Sequence, residues 1–259
     1  MSPSLLLPHS RRVARSFGLA AAHYQQEAKA QFESARHLLA GAAFAGRVLD
    51  IGCGTGWMCS ELLAQPGIDA ILALDIAGPM LSSPLLQHPR IQCIQADAAA
   101  LPLASGCLDG VVSNFALQWL AAPEDFAAGL ARVLRPGAEC RLAMPVAGTL
   151  SELDTAWRRT EGRSPVNTFM TAEDWQRALT AAGIRITHAH QFPLFQYYPT
   201  VRALLRGLKA IGAAESVHKP AGLWGRRHLQ ELEAAMESFR TAQGLPLRYE
   251  VLHLRGYRS

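Results

Sequence analysis

The chain is poor in charge and in cysteine: 18% of its 259 residues are charged, and five are cysteines. The sparse charge excludes a disordered or polyanion-coating protein, and the 49% hydrophobic content is enough to bury a sizeable core. Cys53, Cys59, Cys93, Cys107 and Cys140 form no C-x-x-C pair and lie in apolar surroundings. A disulfide or zinc framework is therefore excluded, and a reducing, cytoplasmic setting is expected. Long apolar runs are missing as well. The least polar stretch, Val111 to Ala122, still contains Ser113, Asn114 and Gln118 and falls well short of the roughly 20 apolar residues of a membrane span. Leu5–Leu7 is too short for a signal-peptide core. Residues 1–26 lack any acid and carry Arg11, Arg12 and Arg15, a composition shared by import sequences and by basic N-terminal helices; the second reading is preferred.

The net charge of +4 is unevenly placed. Residues 1–183 hold 14 basic and 16 acidic side chains, whereas residues 184–259 hold 11 basic and 5 acidic. An acidic partner is expected to meet the C-terminal third.

Apolar runs ending in turn residues alternate with amphipathic segments. Strands are expected at Arg47–Ile51, Ala70–Leu74, Ile91–Ala96, Leu108–Ser113, Cys140–Met144, Ile184–His190 and Leu247–Tyr257. Helices are expected at Trp57–Ala64, from Pro123 to the Leu134-Arg135-Pro136-Gly137 turn, and from the Thr171-Ala-Glu-Asp start to Ala182. This alternation implies an α/β fold with a mostly parallel sheet covered on both faces. Four regions follow: an N-terminal helical cap (1–45), a core (46–192), a basic helical lid (193–240) and a final strand completing the sheet (241–259).

The most specific motif is Asp50-Ile51-Gly52-Cys53-Gly54-Thr55-Gly56-Trp57, a strand turning into a helix with glycines where a ligand approaches the backbone. A dinucleotide fingerprint would place its third glycine at position 57, which is Trp57, and no lysine is present to cradle a triphosphate. Asp50 would repel a pyrophosphate and attract a cation. Asp75, 19 residues beyond Gly56, is placed to accept both hydroxyls of a ribose, and Asp97 follows the third strand. A ligand with ribose, adenine and positive charge but no phosphate satisfies these acids: S-adenosylmethionine. The expected cofactor residues are Asp50, Gly52, Gly54, Gly56, Asp75 with Ile76, Asp97 with Ala98, and Asn114.

The loop, Asp75, Asp97 and Arg135-Pro136-Gly137 resemble the corresponding motifs of class I, Rossmann-like S-adenosylmethionine-dependent methyltransferases. That resemblance implies a seven-stranded sheet. Finer blocks are similar to the malonyl-acyl-carrier-protein O-methyltransferases that open biotin synthesis: Phe17–Tyr24, Gly54–Met58, Ser113–Trp119, Gly148–Leu153, Asn167-Thr168-Phe169 and Leu208–Ala213. This resemblance implies transfer of a methyl group to the carboxylate of a malonyl thioester on acyl-carrier protein. The chain departs from that group at Thr168, where members often have arginine, and at Ala143-Met144-Pro145, where a hydroxyl-bearing strand end is replaced.

No nucleophile-base pair stands out, and none is needed, because a carboxylate is already ionised at neutral pH. Tyr24 and Gln118 are candidates to contact the reacting groups. Arg206 and Lys209, on one helical face with Arg202, are candidates to bind the acidic acceptor, within a stretch that also carries Lys219, Arg226 and Arg227. Trp119 beside Gln118 reads as core or site. His188 and His190 share a strand face, where solvent exposure is expected and a metal is not. Two alternatives stay open: methylation of a small free acid or quinone precursor, and a cofactor-binding assembly factor for a respiratory complex.

Overall fold

The computed structural model describes residues 8–213 and 226–259. Three helices open the chain: α1 (Pro8–Ala20), α2 (Tyr24–Glu27) and α3 (Lys29–Leu39). The sheet follows with β1 (Gly46–Ile51), α4 (Trp57–Leu63), β2 (Ile68–Asp75), β3 (Ile91–Gln95), β4 (Leu108–Asn114), α5 (Pro123–Val133) and β5 (Leu134–Pro145). Next come α6 (Ser151–Glu161), α7 (Ala172–Ala181), β6 (Ile184–Tyr198), α8 (Val201–Ala210), α9 (Arg226–Glu237) and β7 (Leu245–Arg258).

The strands form one seven-stranded sheet in the order β3-β2-β1-β4-β5-β7-β6. The first five pair in parallel, and β7 lies antiparallel between β5 and β6. Side chains alternate across each strand, so β1 feeds both faces: Val48 joins the apolar layer under α3, α4 and α6, while Leu49 and Ile51 join the layer under α5 and α7. Burial on both sides explains why these strands read as continuous apolar runs. α5 opens with Pro123 and the acids Glu124 and Asp125 in its first turn. α7 begins in a reciprocal Thr171–Asp174 capping box.

Two boundaries differ from expectation. β6 does not stop at His190; it pairs with β7 from Ile184 opposite Arg258 to Tyr198 opposite Leu245. The expected lid start at residue 193 therefore falls inside a strand, and helix resumes only at Val201. Pro193 lies within the paired run because β6 is an edge strand, where a missing N–H is tolerated. α6 was not anticipated. Its Trp157 is buried, and its outer face meets the end of α9 through Arg159, whose guanidinium lies 5.3 Å from the Phe239 ring centroid. Among the described residues, no helix is long and apolar enough to cross a membrane.

Candidate active site

The carboxyl ends of β1 to β4 converge on a cleft, at the point where strand order reverses between β1 and β4. Its floor includes Gly52 and Gly54, its rim Asp75, Ile76, Asp97 and Ala98, and its roof Ser10, Val13 and Phe17 of α1. The glycine loop is held down by the Gly52 and Cys53 N–H groups, which donate to the Leu74 carbonyl at 2.7 and 3.0 Å. Gly56 begins α4 at φ 87°, and a Cβ there would lie 2.4 Å from Leu86 Cδ2, so only glycine fits.

Asp75 is buried at the cleft wall. Its Oδ2 accepts from the Gly54 N–H at 2.9 Å and its Oδ1 from the Ala77 N–H at 2.8 Å. Burial pushes its carboxyl above the ordinary range, while these backbone donors oppose the rise. Each oxygen keeps a second lone pair for a ligand hydroxyl. Asp97 accepts from Ser10 Oγ at 2.7 Å and from the Ala99 N–H at 3.0 Å. The acid pair, the side-chain-free loop and the apolar walls Leu74, Ile76 and Ala98 fit S-adenosylmethionine.

Three expected cofactor residues sit elsewhere. Asp50 is fully buried behind the loop and does not line the cleft. Its Oδ2 accepts from Cys59 Sγ at 3.3 Å, its Oδ1 has no partner, and burial pushes its carboxyl up to about 7. Gly56 shapes the start of α4 and is not on the cleft wall. Asn114 turns toward α3: its Oδ1 accepts from Ser34 Oγ at 2.7 Å, and its Nδ2 donates to the Gln31 carbonyl at 3.0 Å. It lines a small recess beside the loop, shared with Tyr24 and Gln31.

A second, smaller cavity adjoins the first. Phe17, Tyr24, Phe115 and Trp119 line both, so these four aromatic rings form the partition between them. Tyr24 and Gln118, both expected here, are present. The Tyr24 phenol is raised above its ordinary range by burial and by the nearby Asp75 and Asp50. The rest of the wall includes Gln31, Phe169, Leu208, Ile211 and Tyr249. The two described non-glycine residues in the left-handed region, Phe115 (φ 54°) and Leu150 (φ 61°), also line this cavity. Backbone strain of this kind concentrates at functional sites.

Arg206 and Lys209 are not in either cavity. Both are exposed on the outer face of α8, whose inner face supplies Leu208. An amphipathic helix cannot present both faces to one site. Arg202 reaches Glu233 at 3.4 Å, Arg227 pairs with Glu231, and Lys219 lies outside the described residues. Thr168 is exposed and lines neither cavity, whereas Pro145 contributes to the second. His188 and His190 are exposed on β6, and among the described residues no group of three or more His, Cys, Asp or Glu could hold a metal ion. Gln31, Phe115 and Tyr249 were missed as site residues. Gln31 is buried on a face of α3 that also carries the polar Ser34, and the sequence pattern did not distinguish it.

A family model described as "Methyltransferase domain" matches residues 49–142. A putative methyltransferase from Bacillus halodurans superposes with a TM-score of 0.62 at 17% identity, covering 87% of this chain and 99% of that one. The sheet order, glycine loop and cleft are those of a class I methyltransferase.

Two curated relatives narrow the class. The malonyl-[acyl-carrier protein] O-methyltransferase of Alcanivorax borkumensis is 36% identical over 255 residues, covering 95% of this chain and 86% of that protein. The biotin biosynthesis bifunctional protein BioHC of Cellvibrio japonicus is also 36% identical, over 94% of this chain and 49% of that longer protein. The chain belongs to the malonyl-[acyl-carrier protein] O-methyltransferase family.

Proposed function

We propose that this protein transfers the methyl group of S-adenosylmethionine to the free carboxylate of a malonyl thioester carried by acyl-carrier protein, giving the methyl ester that opens biotin synthesis in the cytoplasm. The observation that carries the reading is a second, mostly apolar cavity separated from the cofactor cleft by one aromatic partition, in a chain similar to carboxyl methyltransferases over nearly its whole length.

The cofactor supplies an activated methyl group on a sulfonium; the chain supplies placement. Asp75 and the glycine loop fix the cofactor, with Asp97 and Ile76 beside it, while Tyr24 stands at the junction of the two cavities. The acceptor is ionised at neutral pH and needs no general base. What it needs is an in-line approach at roughly 3–3.5 Å with water excluded, and the aromatic partition serves that end.

The acidic carrier protein is assigned to the exposed face of α8. Arg206 and Lys209 make no ion pair among the described residues. α1 lies alongside, tied by Ser16 Oγ donating to the Gly212 carbonyl at 2.9 Å, and adds the exposed Arg15. These cations act on docking and not on the reacting atoms.

The test is incorporation of labelled methyl from S-adenosylmethionine into malonyl-carrier protein. Transfer to the carrier-bound acid is expected; absence of transfer by protein that still binds the cofactor would overturn the assignment. Changing Arg206 and Lys209 to Glu separates it from methylation of a small free acid, because only carrier-protein turnover depends on that face.

A further inference from the structure

We propose that the acceptor carboxylate is held in the second cavity by two neutral donors, the Trp119 indole N–H and the Tyr249 hydroxyl, with no cation from the described residues as counterion. This rests on the carboxyl-methylating reading above. Four residues of that cavity's wall each carry a buried side-chain atom with no hydrogen-bond partner among the described residues: Gln31 Oε1, Gln118 Oε1, Trp119 Nε1 and Tyr249 Oη. Buried polar atoms are almost always paired, so four unpaired atoms on residues lining one space point to a polar occupant.

The two kinds of atom sort by what they can bind. An indole N–H only donates, and a phenol readily does, while an ionised carboxylate only accepts. Trp119 and Tyr249 therefore match the anion. The glutamine oxygens are acceptors and suit the amide N–H groups of the thioester's pantetheine arm. Gln118 is already oriented by its Nε2, which donates to the Phe115 carbonyl at 2.8 Å. Both donors are positioned by edge-on rings: Trp119 by Phe17 at a centroid separation of 5.6 Å, and Tyr249 by Phe115, also at 5.6 Å.

No Lys, Arg or His among the described residues lines this cavity, and the bond changes explain why none is wanted. One carboxylate oxygen lone pair forms the O–CH3 bond as the S–CH3 bond breaks, and the S–C electron pair stays on sulfur. The sulfonium becomes a neutral thioether, the carboxylate a neutral ester, and no proton moves. The sulfonium is thus the carboxylate's counterion until the moment of transfer. A fixed guanidinium would favour the anionic reactant over the charge-dispersed transition state, whereas neutral donors orient the oxygen at a smaller penalty.

The experiment compares wild type, Tyr249→Phe and Trp119→Phe in initial-rate assays with malonyl-carrier protein, and uses acetyl-carrier protein, which lacks the carboxylate, as an inhibitor. Each variant is expected to lose roughly 10- to 100-fold in kcat/KM, the effect of removing one hydrogen bond to a charged group. Tyr249→Phe should leave cofactor affinity and the Ki of acetyl-carrier protein unchanged. It should unfold at the same temperature as wild type or higher, because it removes an unpaired buried hydroxyl. Wild-type rates in both variants, or equal weakening of the malonyl and acetyl thioesters, would overturn the proposal while leaving the enzyme reading intact. A wild-type protein inactive on malonyl-carrier protein would overturn both.

Discussion

Ser10 Oγ donates a 2.7 Å hydrogen bond to Asp97 Oδ2, joining two residues 87 positions apart and fastening the N-terminal helix across the cofactor cleft. The same helix places Val13 and Phe17 in the cleft roof. The cofactor cleft of this malonyl-[acyl-carrier protein] O-methyltransferase family member is therefore roofed by a helix with a polar latch near its N-terminus.

Ser10→Ala should release that latch. A hydrogen bond to a carboxylate contributes about 1.5–3 kcal/mol when buried and less at a half-exposed rim, so cofactor dissociation is expected to accelerate by roughly 3- to 10-fold with little change in fold stability. Stopped-flow displacement of bound cofactor reads this directly.

Asp75→Asn should be far more severe. The amide can accept at one oxygen only, so either the Gly54 or the Ala77 N–H faces an NH2 group, and the bidentate acceptor for a ribose is lost. Cofactor affinity is expected to fall by about 100-fold or more, with a stability loss of about 1–3 kcal/mol. Calorimetric titration and urea unfolding separate the two effects.

Gly56→Ala tests the loop geometry. A left-handed φ costs a side-chain-bearing residue about 1–2 kcal/mol, and the clash with Leu86 adds a further cost of about 1–3 kcal/mol. The expected result is a marked drop in the urea midpoint, measured on the protein without cofactor.

Two buried groups give opposite pH dependences in one window. Asp50, raised by burial to about 7, takes up a proton on folding, so its contribution to stability falls as pH rises from about 4 to about 7. His253 is lowered to about 4 by burial and by the neighbouring His37, His190 and His188. It therefore sheds its proton on folding, and its contribution rises with pH between about 4 and 6.5. Its buried tautomer is fixed by the network. Ser34 gives its hydrogen to Asn114 Oδ1, so His253 Nε2, 3.0 Å away, carries the proton that Ser34 accepts. Asp50→Asn should leave the histidine's slope uncompensated, making stability climb more steeply between pH 4 and 6.5 in urea melts at a series of pH values.

The parallel half of the molecule was legible because each strand ends in a residue whose chemistry shows in the sequence: Ile51 before the glycines, Asp75, and Asp97 just past β3. Gly52, Gly54, Asp75, Ile76, Asp97 and Ala98 all line the cleft as expected. Asp50 and Asn114 were misplaced because residue type reveals a polar group but not which side of the strand end it faces. The second cavity was less legible. Gln31 sits on α3 and Tyr249 on β7, more than 200 residues apart, and only the sheet order brings them together. Arg206 and Lys209 were recognised as one helical face, but periodicity alone does not say which face looks inward. The apolar stripe Leu204 and Leu208 decides it.

The reach of β6 to Tyr198 has a further consequence. With β7 it makes a long antiparallel ribbon at one side of the sheet, carrying Tyr249 within it and leading directly into α8. The cofactor cleft lies at the ends of β1 to β4, and the cavity beside it takes Pro145 from the end of β5 and Tyr249 from this ribbon. A change at Tyr249 of the ribbon or at Leu208 of α8 therefore reshapes the wall of the second cavity without altering a residue of the cofactor cleft.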